Sequence, residues 1–80
     1  MKKFSVYILR TDKNTLYTGQ TNNLEKRLLK HKAGKGSKYL RRFKSIELVY
    51  KEKFQTRSEA MKREAEIKRL PKKRKEELFL

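Results

Sequence analysis

The fold is decided near the start of the chain, in residues 4–20, FSVYILRTDKNTLYTGQ. Residues 4–10 carry Tyr, Val, Ile and Leu at both odd and even positions, which predicts a central strand covered on both faces. Residues 12–15 are typical of a turn, and residues 16–20 predict a returning strand. The stretch is therefore predicted to form a β-hairpin.

A helix and a loop are predicted next. Asn22 or Asn23 can cap a helix that runs to about Ala33, and Gly34 is placed to end it. Residues 34–44 are polar, contain two glycines and are rich in Lys and Arg. They predict a flexible basic loop that can include a helical turn.

The second half of the chain predicts one more strand and two more helices. Residues 46–54 alternate in hydrophobicity, as in a strand. Thr56-x-x-Glu59 is a capping box that opens a helix to about residue 70, and Pro71 can begin a short terminal helix. The order β-β-α-β-α-α predicts an α+β fold in which helices flank a small three-stranded antiparallel sheet.

The composition indicates the kind of partner. The 80 residues include 24 Lys and Arg against nine Asp and Glu, a net charge of +15. Such a charge favours binding to nucleic acid, since neutralising phosphates releases counterions. An acidic membrane surface is the competing partner, but the helices need their apolar faces for a thin core. We expect one monomeric domain over residues 1–80 that binds nucleic acid and no membrane.

The sequence lacks cysteine, and its first apolar run is short. It has no cysteine, which excludes disulfides, thiolate metal sites and cysteine nucleophiles. Its first apolar run is too short for a signal peptide or a membrane span. Both features predict a cytoplasmic protein.

Charged residues lie beside the apolar stripe of the first predicted helix. Arg27 comes three residues after Leu24 and one before Leu28, and His31 follows four residues later. Arg27 and His31 therefore share one edge of the buried face. The alternative is an arginine stem that covers the core edge and a surface histidine, which is the expectation for His31 taken alone.

Glu64 lies inside the apolar arc of the second long helix, whose other members are Ala60, Met61, Ile67 and Leu70. A carboxylate on the core side of a helix needs an arginine, a hydrogen-bonding network or a metal ion. A structural salt bridge between Glu64 and Arg27 and a functional metal ligand both remain open at this point.

The two strands of the hairpin carry tyrosines that share a face if the pairing register is even. Tyr7, Leu9, Tyr17 and Gly19 then lie on the same side of the sheet. Either tyrosine alone is ordinarily a packing residue. Gly19 within a strand indicates a bulge or a close approach by another group.

These residues resemble the GIY-YIG nuclease family. Ser5-Val6-Tyr7 and Tyr17-Thr18-Gly19 stand where the family has Gly-Ile-Tyr and Tyr-Ile-Gly. Arg27 matches the family's helix arginine, His31 a position that is often His or Tyr, and Glu64 the metal-binding glutamate. The similarity covers nearly the whole chain and is strongest to the small stand-alone bacterial members.

The resemblance implies a metal-dependent endonuclease of DNA repair or processing. Glu64 would hold a single Mg²⁺ or Mn²⁺ ion, and Arg27 would bind phosphate oxygens. Tyr7 would be the general base if nearby cations lower its pKa, and Tyr17 would orient the water or the phosphate. His31 would share or assist the role of Tyr7.

Two features depart from the family pattern. Ser5 replaces the first glycine, and no asparagine follows Asn23, although many members carry one after the metal glutamate. The rival interpretations are a non-catalytic DNA- or RNA-binding module and a basic structural protein of a ribonucleoprotein. With no room for a targeting domain, specificity would come from DNA structure or a partner protein.

The basic loop is predicted to bind nucleic acid, DNA rather than RNA, through cations that can reach phosphates: Lys35, Lys38, Arg41 and Arg42. Tyr39 or Phe43 can stack on an unpaired base. The favoured alternative for these two aromatics is that they pack beneath the loop.

Overall fold

The computed structural model describes residues 2–80, and its elements follow the predicted order. The strands are β1 (Phe4–Thr11), β2 (Leu16–Thr21) and β3 (Ile46–Phe54); the helices are α1 (Leu24–Lys32), α2 (Arg57–Arg69) and α3 (Lys72–Glu76). None of the helices in this part of the chain is long and apolar enough to cross a membrane. The predicted α+β fold is confirmed.

The sheet has the strand order β2-β1-β3, with both pairs antiparallel, so the first strand is central as predicted. In the hairpin, Tyr7 lies opposite Gly19 and Leu9 lies opposite Tyr17. The even register is thereby confirmed, because directly opposite residues project from the same face.

Each face of the sheet has its own core. On one face, Val6 and Ile8 pack against Ala60 and Ile67 of α2. On the other face, Tyr7 and Leu9 pack with Leu40, and all three are fully or almost fully buried. Burial on both sides explains the run of apolar residues at both parities in β1. Each fully buried aliphatic side chain contributes about 1.5–3 kcal/mol.

Local signals fix the ends of the two long helices. Asn23, rather than Asn22, caps α1, and its side chain accepts a hydrogen bond of 3.0 Å from the Lys26 amide. Thr56 and Glu59 form the predicted capping box of α2. Gly34 follows α1 with a φ of 77°, a conformation that glycine adopts without steric cost.

Candidate active site

The centre of the site is the side chain of Tyr7, which projects from the middle of the central strand and is fully buried. Its ring lies directly over Gly19 of the neighbouring strand. A Cβ atom at Gly19 would stand 2.5 Å from the Tyr7 hydroxyl oxygen. The Tyr7 ring therefore approaches the backbone closely at Gly19, as a glycine within a strand indicated.

The partner of Tyr7 is His31, whose Nε2 lies 2.9 Å from the Tyr7 hydroxyl in a buried hydrogen bond. His31 is only 3% exposed, so the interpretation of it as a surface histidine is wrong. The backbone of Gly36 in the basic loop presses against the same ring beside Nδ1, where a Cβ would not fit. Among residues 2–80, Nδ1 has no hydrogen-bond partner.

Burial sets the protonation states of this pair. It raises the pKa of Tyr7 to about 12, with a further rise from Tyr17, and the opposing charge of Arg27 does not compensate. Burial, followed by the charge of Arg27, lowers the pKa of His31. The predicted role of Tyr7 as general base is conditional on nearby cations lowering its pKa, and this condition is therefore not met. Near neutral pH the site holds a protonated phenol beside a neutral imidazole, whose Nε2 accepts the hydroxyl proton when Nδ1 carries the ring hydrogen.

The charges of Arg27 on α1 and Glu64 on α2 both act on the Tyr7 hydroxyl. The charge of Glu64 contributes to the raised pKa of Tyr7, and that of Arg27 opposes it. No salt bridge links Arg27 to Glu64, so this alternative is wrong: the Glu64 carboxylate instead lies 3.5 Å from the Lys68 ammonium. Within residues 2–80 Arg27 takes part in no ion pair, which leaves its guanidinium available to an anion.

The donor set for a metal ion is small. The described residues contain no group of three or more His, Asp or Glu side chains that could enclose a metal. Glu64 supplies one carboxylate, and its side chain is 22% exposed. This arrangement fits Mg²⁺ or Mn²⁺, since Mg²⁺ commonly binds through one or two carboxylates and keeps waters or phosphate oxygens as its other ligands.

An aromatic chain connects the buried pair to the basic loop. The Tyr17 ring meets His31 edge-on at 5.6 Å and stacks on Tyr39 at 6.2 Å, with 16° between the planes. Tyr39 also meets Phe43 at 5.2 Å, and its hydroxyl donates a 3.1 Å hydrogen bond to Thr15. Both loop aromatics therefore contact the fold, but Tyr39 stays 37% exposed, so the favoured alternative of packing beneath the loop holds only in part for it. Tyr39 is a site neighbour that the sequence did not reveal.

The basic loop is anchored rather than simply flexible. Its turn of 3₁₀-helix, Leu40–Arg42, inserts Leu40 into the core at 2% exposure. The Arg42 guanidinium lies over the Tyr39 ring at 5.2 Å. All four predicted phosphate-binding side chains of the loop are exposed: Lys35, Lys38, Arg41 and Arg42.

Comparison with known proteins agrees with this architecture. The family described as GIY-YIG catalytic domain matches residues 3–77. A UPF0213 protein from Staphylococcus haemolyticus is 52% identical over 68 residues, which cover 85% of this chain and 83% of the relative. A UPF0213 protein from Natronomonas pharaonis is 49% identical over 73 residues, covering 91% of this chain and 86% of the relative.

A solved structure is similar as well. The solution NMR structure of a UPF0213 protein from Bacillus halodurans superimposes with a TM-score of 0.61 at 40% sequence identity, covering 94% of this chain and 80% of that one. The GIY-YIG family is one of endonucleases, which generally use a divalent metal and bind nucleic acid. By sequence and by fold, the chain belongs to the GIY-YIG catalytic domain family, with UPF0213 proteins among its similar relatives.

Proposed function

We propose that this protein is a divalent-metal-dependent endonuclease that hydrolyses DNA phosphodiester bonds in DNA repair or processing. The observation that carries the proposal is the buried hydrogen bond between Tyr7 and His31, to which the charges of Arg27 and Glu64 both extend. A buried ionisable pair whose pKa values are shifted by burial and by nearby charges is an arrangement that active sites commonly use.

The pair can act as one base. As a water oxygen bonds to phosphorus, its proton would pass to the Tyr7 oxygen while the Tyr7 proton passes to His31 Nε2; because Tyr7 is buried here, the complex with DNA would have to admit that water to the hydroxyl. Burial lowers the pKa of His31 and so keeps its imidazole neutral, which leaves the lone pair of Nε2 free for that proton but makes the ring a weaker base. The bond between phosphorus and the leaving oxygen breaks, and that oxygen takes a proton from solvent. This concerted relay needs no free tyrosinate, which the raised pKa of Tyr7 makes rare at neutral pH.

Arg27 and Glu64 serve the charged reactants. Arg27 binds a non-bridging phosphate oxygen through its guanidinium, which no acid of the described residues occupies. Glu64 would hold the Mg²⁺ or Mn²⁺ ion after giving up its ion pair with Lys68, a contact that contributes little to stability. A bound divalent ion supplies Lewis-acid neutralisation of the charge that develops on the phosphate and the leaving oxygen. Tyr17 orients the water or the phosphate from its position between His31 and Tyr39.

A non-catalytic DNA- or RNA-binding module is the second candidate. Two observations favour it: the pKa of Tyr7 is raised rather than lowered, and no asparagine follows Glu64 to support the metal. Such a module would use the same basic surfaces and leave the buried pair as a structural remnant.

We propose that the partner is DNA rather than RNA. The protein would bind it in the cytoplasm, as a monomer with one domain. The positive charge of +15 and the exposed cations of the loop support phosphate binding without choosing a sequence. Specificity then comes from branched, nicked or single-stranded structure, or from a partner protein.

The test is a cleavage assay on plasmid, branched and flapped DNA with Mg²⁺, with Mn²⁺ and with a chelator. We expect cleavage that requires metal and is lost in Glu64→Ala and Tyr7→Phe. Tight binding without cleavage under any metal would leave only the binding module. Equal cleavage by Glu64→Ala would mean that the site is wrongly assigned.

A further inference from the structure

A cleft of about 630 Å³ opens at the end of the sheet that lies opposite the hairpin turn. β1 begins there, and β2 and β3 end there, since Phe4 pairs with Phe54 and Ser5 with Thr21. Among its lining residues are four lysines and a single acid: Lys2, Lys3, Lys51, Lys53 and Glu25. The basic loop lies at the other end of the sheet, where Tyr39 bonds to Thr15 beside the hairpin turn.

Lys51 and Lys53 occupy alternate positions of β3 and pair with Tyr7 and Ser5. Their side chains therefore rise from the same face of the sheet as Tyr7. Leu28 of α1 also lines the cleft and gives it an apolar wall. The cleft thus combines exposed ammonium groups with a fixed, partly apolar surface.

The four lysines form no ion pair within the described structure, although Glu25 lines the same cleft. The two acids of β3 are committed elsewhere: Glu47 pairs with Arg10, and Glu52 pairs with Arg63. None of the ion pairs among residues 2–80 includes a lysine of the cleft. Their mutual repulsion costs stability that an external polyanion can recover.

The cleft adjoins a pocket that Arg27 lines. A smaller pocket of about 140 Å³ shares Phe4 and Asn22 with it and is lined by the guanidinium residues Arg27 and Arg57. Arg57 is the first residue of α2, where the positive end of the helix dipole disfavours a cation. A bound phosphate would compensate for that placement. Arg27 and Arg57 therefore extend the row of cations around the end of the sheet, because α2 packs on the face opposite the one that carries Lys51 and Lys53.

We infer that this row is a second binding surface for the DNA backbone, and we call it the lysine groove, formed by Arg57, Lys2, Lys3, Lys51 and Lys53. The inference rests on the proposed function, because it takes DNA as the ligand. The groove, with Arg27 beside it, and the basic loop hold the backbone at opposite ends of the sheet. The eight residues of β1 span about 26 Å, which corresponds to about eight base pairs.

The test compares two variants that lose the same charge. Lys51→Gln/Lys53→Gln alters the groove, whereas Lys72→Gln/Lys73→Gln alters exposed lysines of α3 that line neither pocket. Fluorescence anisotropy with a labelled 20-base-pair duplex, in chelator and over a range of salt concentrations, gives the affinity and its salt dependence. We expect the groove variant to reduce the slope of log K against log [salt] by about 2 and the affinity by at least about 10-fold, with a clearly smaller effect of the α3 variant.

The outcomes separate the groove from the nuclease. Equal losses in the two variants would overturn the groove, even if the wild-type protein cleaves DNA. A loss confined to the groove variant supports the groove, even if the wild-type protein cleaves nothing under any metal. If the groove variant loses binding to phosphatidylserine vesicles but keeps its affinity for DNA, the groove serves membranes and the inference is wrong. Circular dichroism of both variants establishes that they are folded.

Discussion

The Tyr7 hydroxyl and His31 Nε2 lie 2.9 Å apart, in a buried hydrogen bond that joins the central strand to α1 across 24 residues of sequence. The same contact stabilises the fold and defines the candidate site. The strand supplies the phenol and the last turn of the helix supplies the imidazole, so neither group can be changed without affecting the other.

Replacing Tyr7 by Phe tests the phenol with little change in shape. We expect cleavage to fall by about 10²–10⁴-fold, the usual contribution of a general base. Stability should fall by about 1–3 kcal/mol, because His31 Nε2 loses its partner in a buried setting. Single-turnover cleavage and urea denaturation measure the two effects. Cleavage at the wild-type rate would exclude Tyr7 from the chemistry.

His31 makes stability depend on pH in a defined direction. Its pKa is lowered in the folded state, so the unfolded chain binds the proton more tightly. Stability is therefore full above the unfolded pKa of about 6.5 and is lost as the pH falls through the folded pKa. Urea denaturation at about pH 7.5 and about pH 5.5 measures this loss, because His31 is the single histidine and carboxylates titrate lower.

His31→Gln is the control for that experiment. The variant should lose clearly less stability between the two pH values than the wild-type protein. Cleavage by the wild-type protein should also decline at the acid pH, since a protonated imidazole cannot accept the proton of Tyr7. An unchanged pH dependence in His31→Gln would assign the effect to other groups.

Glu64→Gln tests the carboxylate that we assign to the metal. Cleavage in Mg²⁺ should fall by at least about 100-fold, because an amide binds a hard cation far more weakly. Affinity for DNA in chelator should be unchanged or slightly higher. Glu66→Gln on the same helix is the matched control, since Glu66 also pairs with a cation, at 3.8 Å from Arg63. Similar losses of cleavage in the two variants would mean that removing a negative charge, rather than a metal ligand, causes the effect.

Tyr39 is predicted to hold Tyr17 in position. Tyr39→Leu removes the stacked ring and should reduce cleavage by about 10-fold and stability by about 0.5–1.5 kcal/mol. Tyr39→Phe keeps the stack and loses only the hydrogen bond to Thr15, so it should retain most of the cleavage rate. Equal rates for the two variants would show that the stack has no role at the site.

The elements of the fold could be predicted because each rests on local signals. The apolar run of β1, the Asn23 cap and the capping box of Thr56 and Glu59 act within a few residues of where they stand. The even register of the hairpin is an assumption at the level of sequence, and the pairing of Tyr7 with Gly19 confirms it.

The parts of the site that the sequence missed depend on long-range contacts. Periodicity places His31 at the edge of a stripe, but only the folded loop shows that Gly36 covers it. The stack of Tyr39 on Tyr17 has no sequence signature, because neither ring determines the path of the loop. The raised pKa of Tyr7 depends on the depth of burial, which no spacing of cations reveals.

Gly19 and Gly36 lie against the buried pair of Tyr7 and His31. They give a criterion for sorting relatives that depends on the volume of a side chain rather than on the chemistry of the polar residues. A Cβ at Gly19 would displace the Tyr7 hydroxyl, and one at Gly36 would displace the His31 ring. A relative with alanine at either place can keep every ionisable residue of the site and yet lack the bond between them. Genome surveys that score only the polar residues would count such a chain as intact, whereas a single added methyl group would have uncoupled its site.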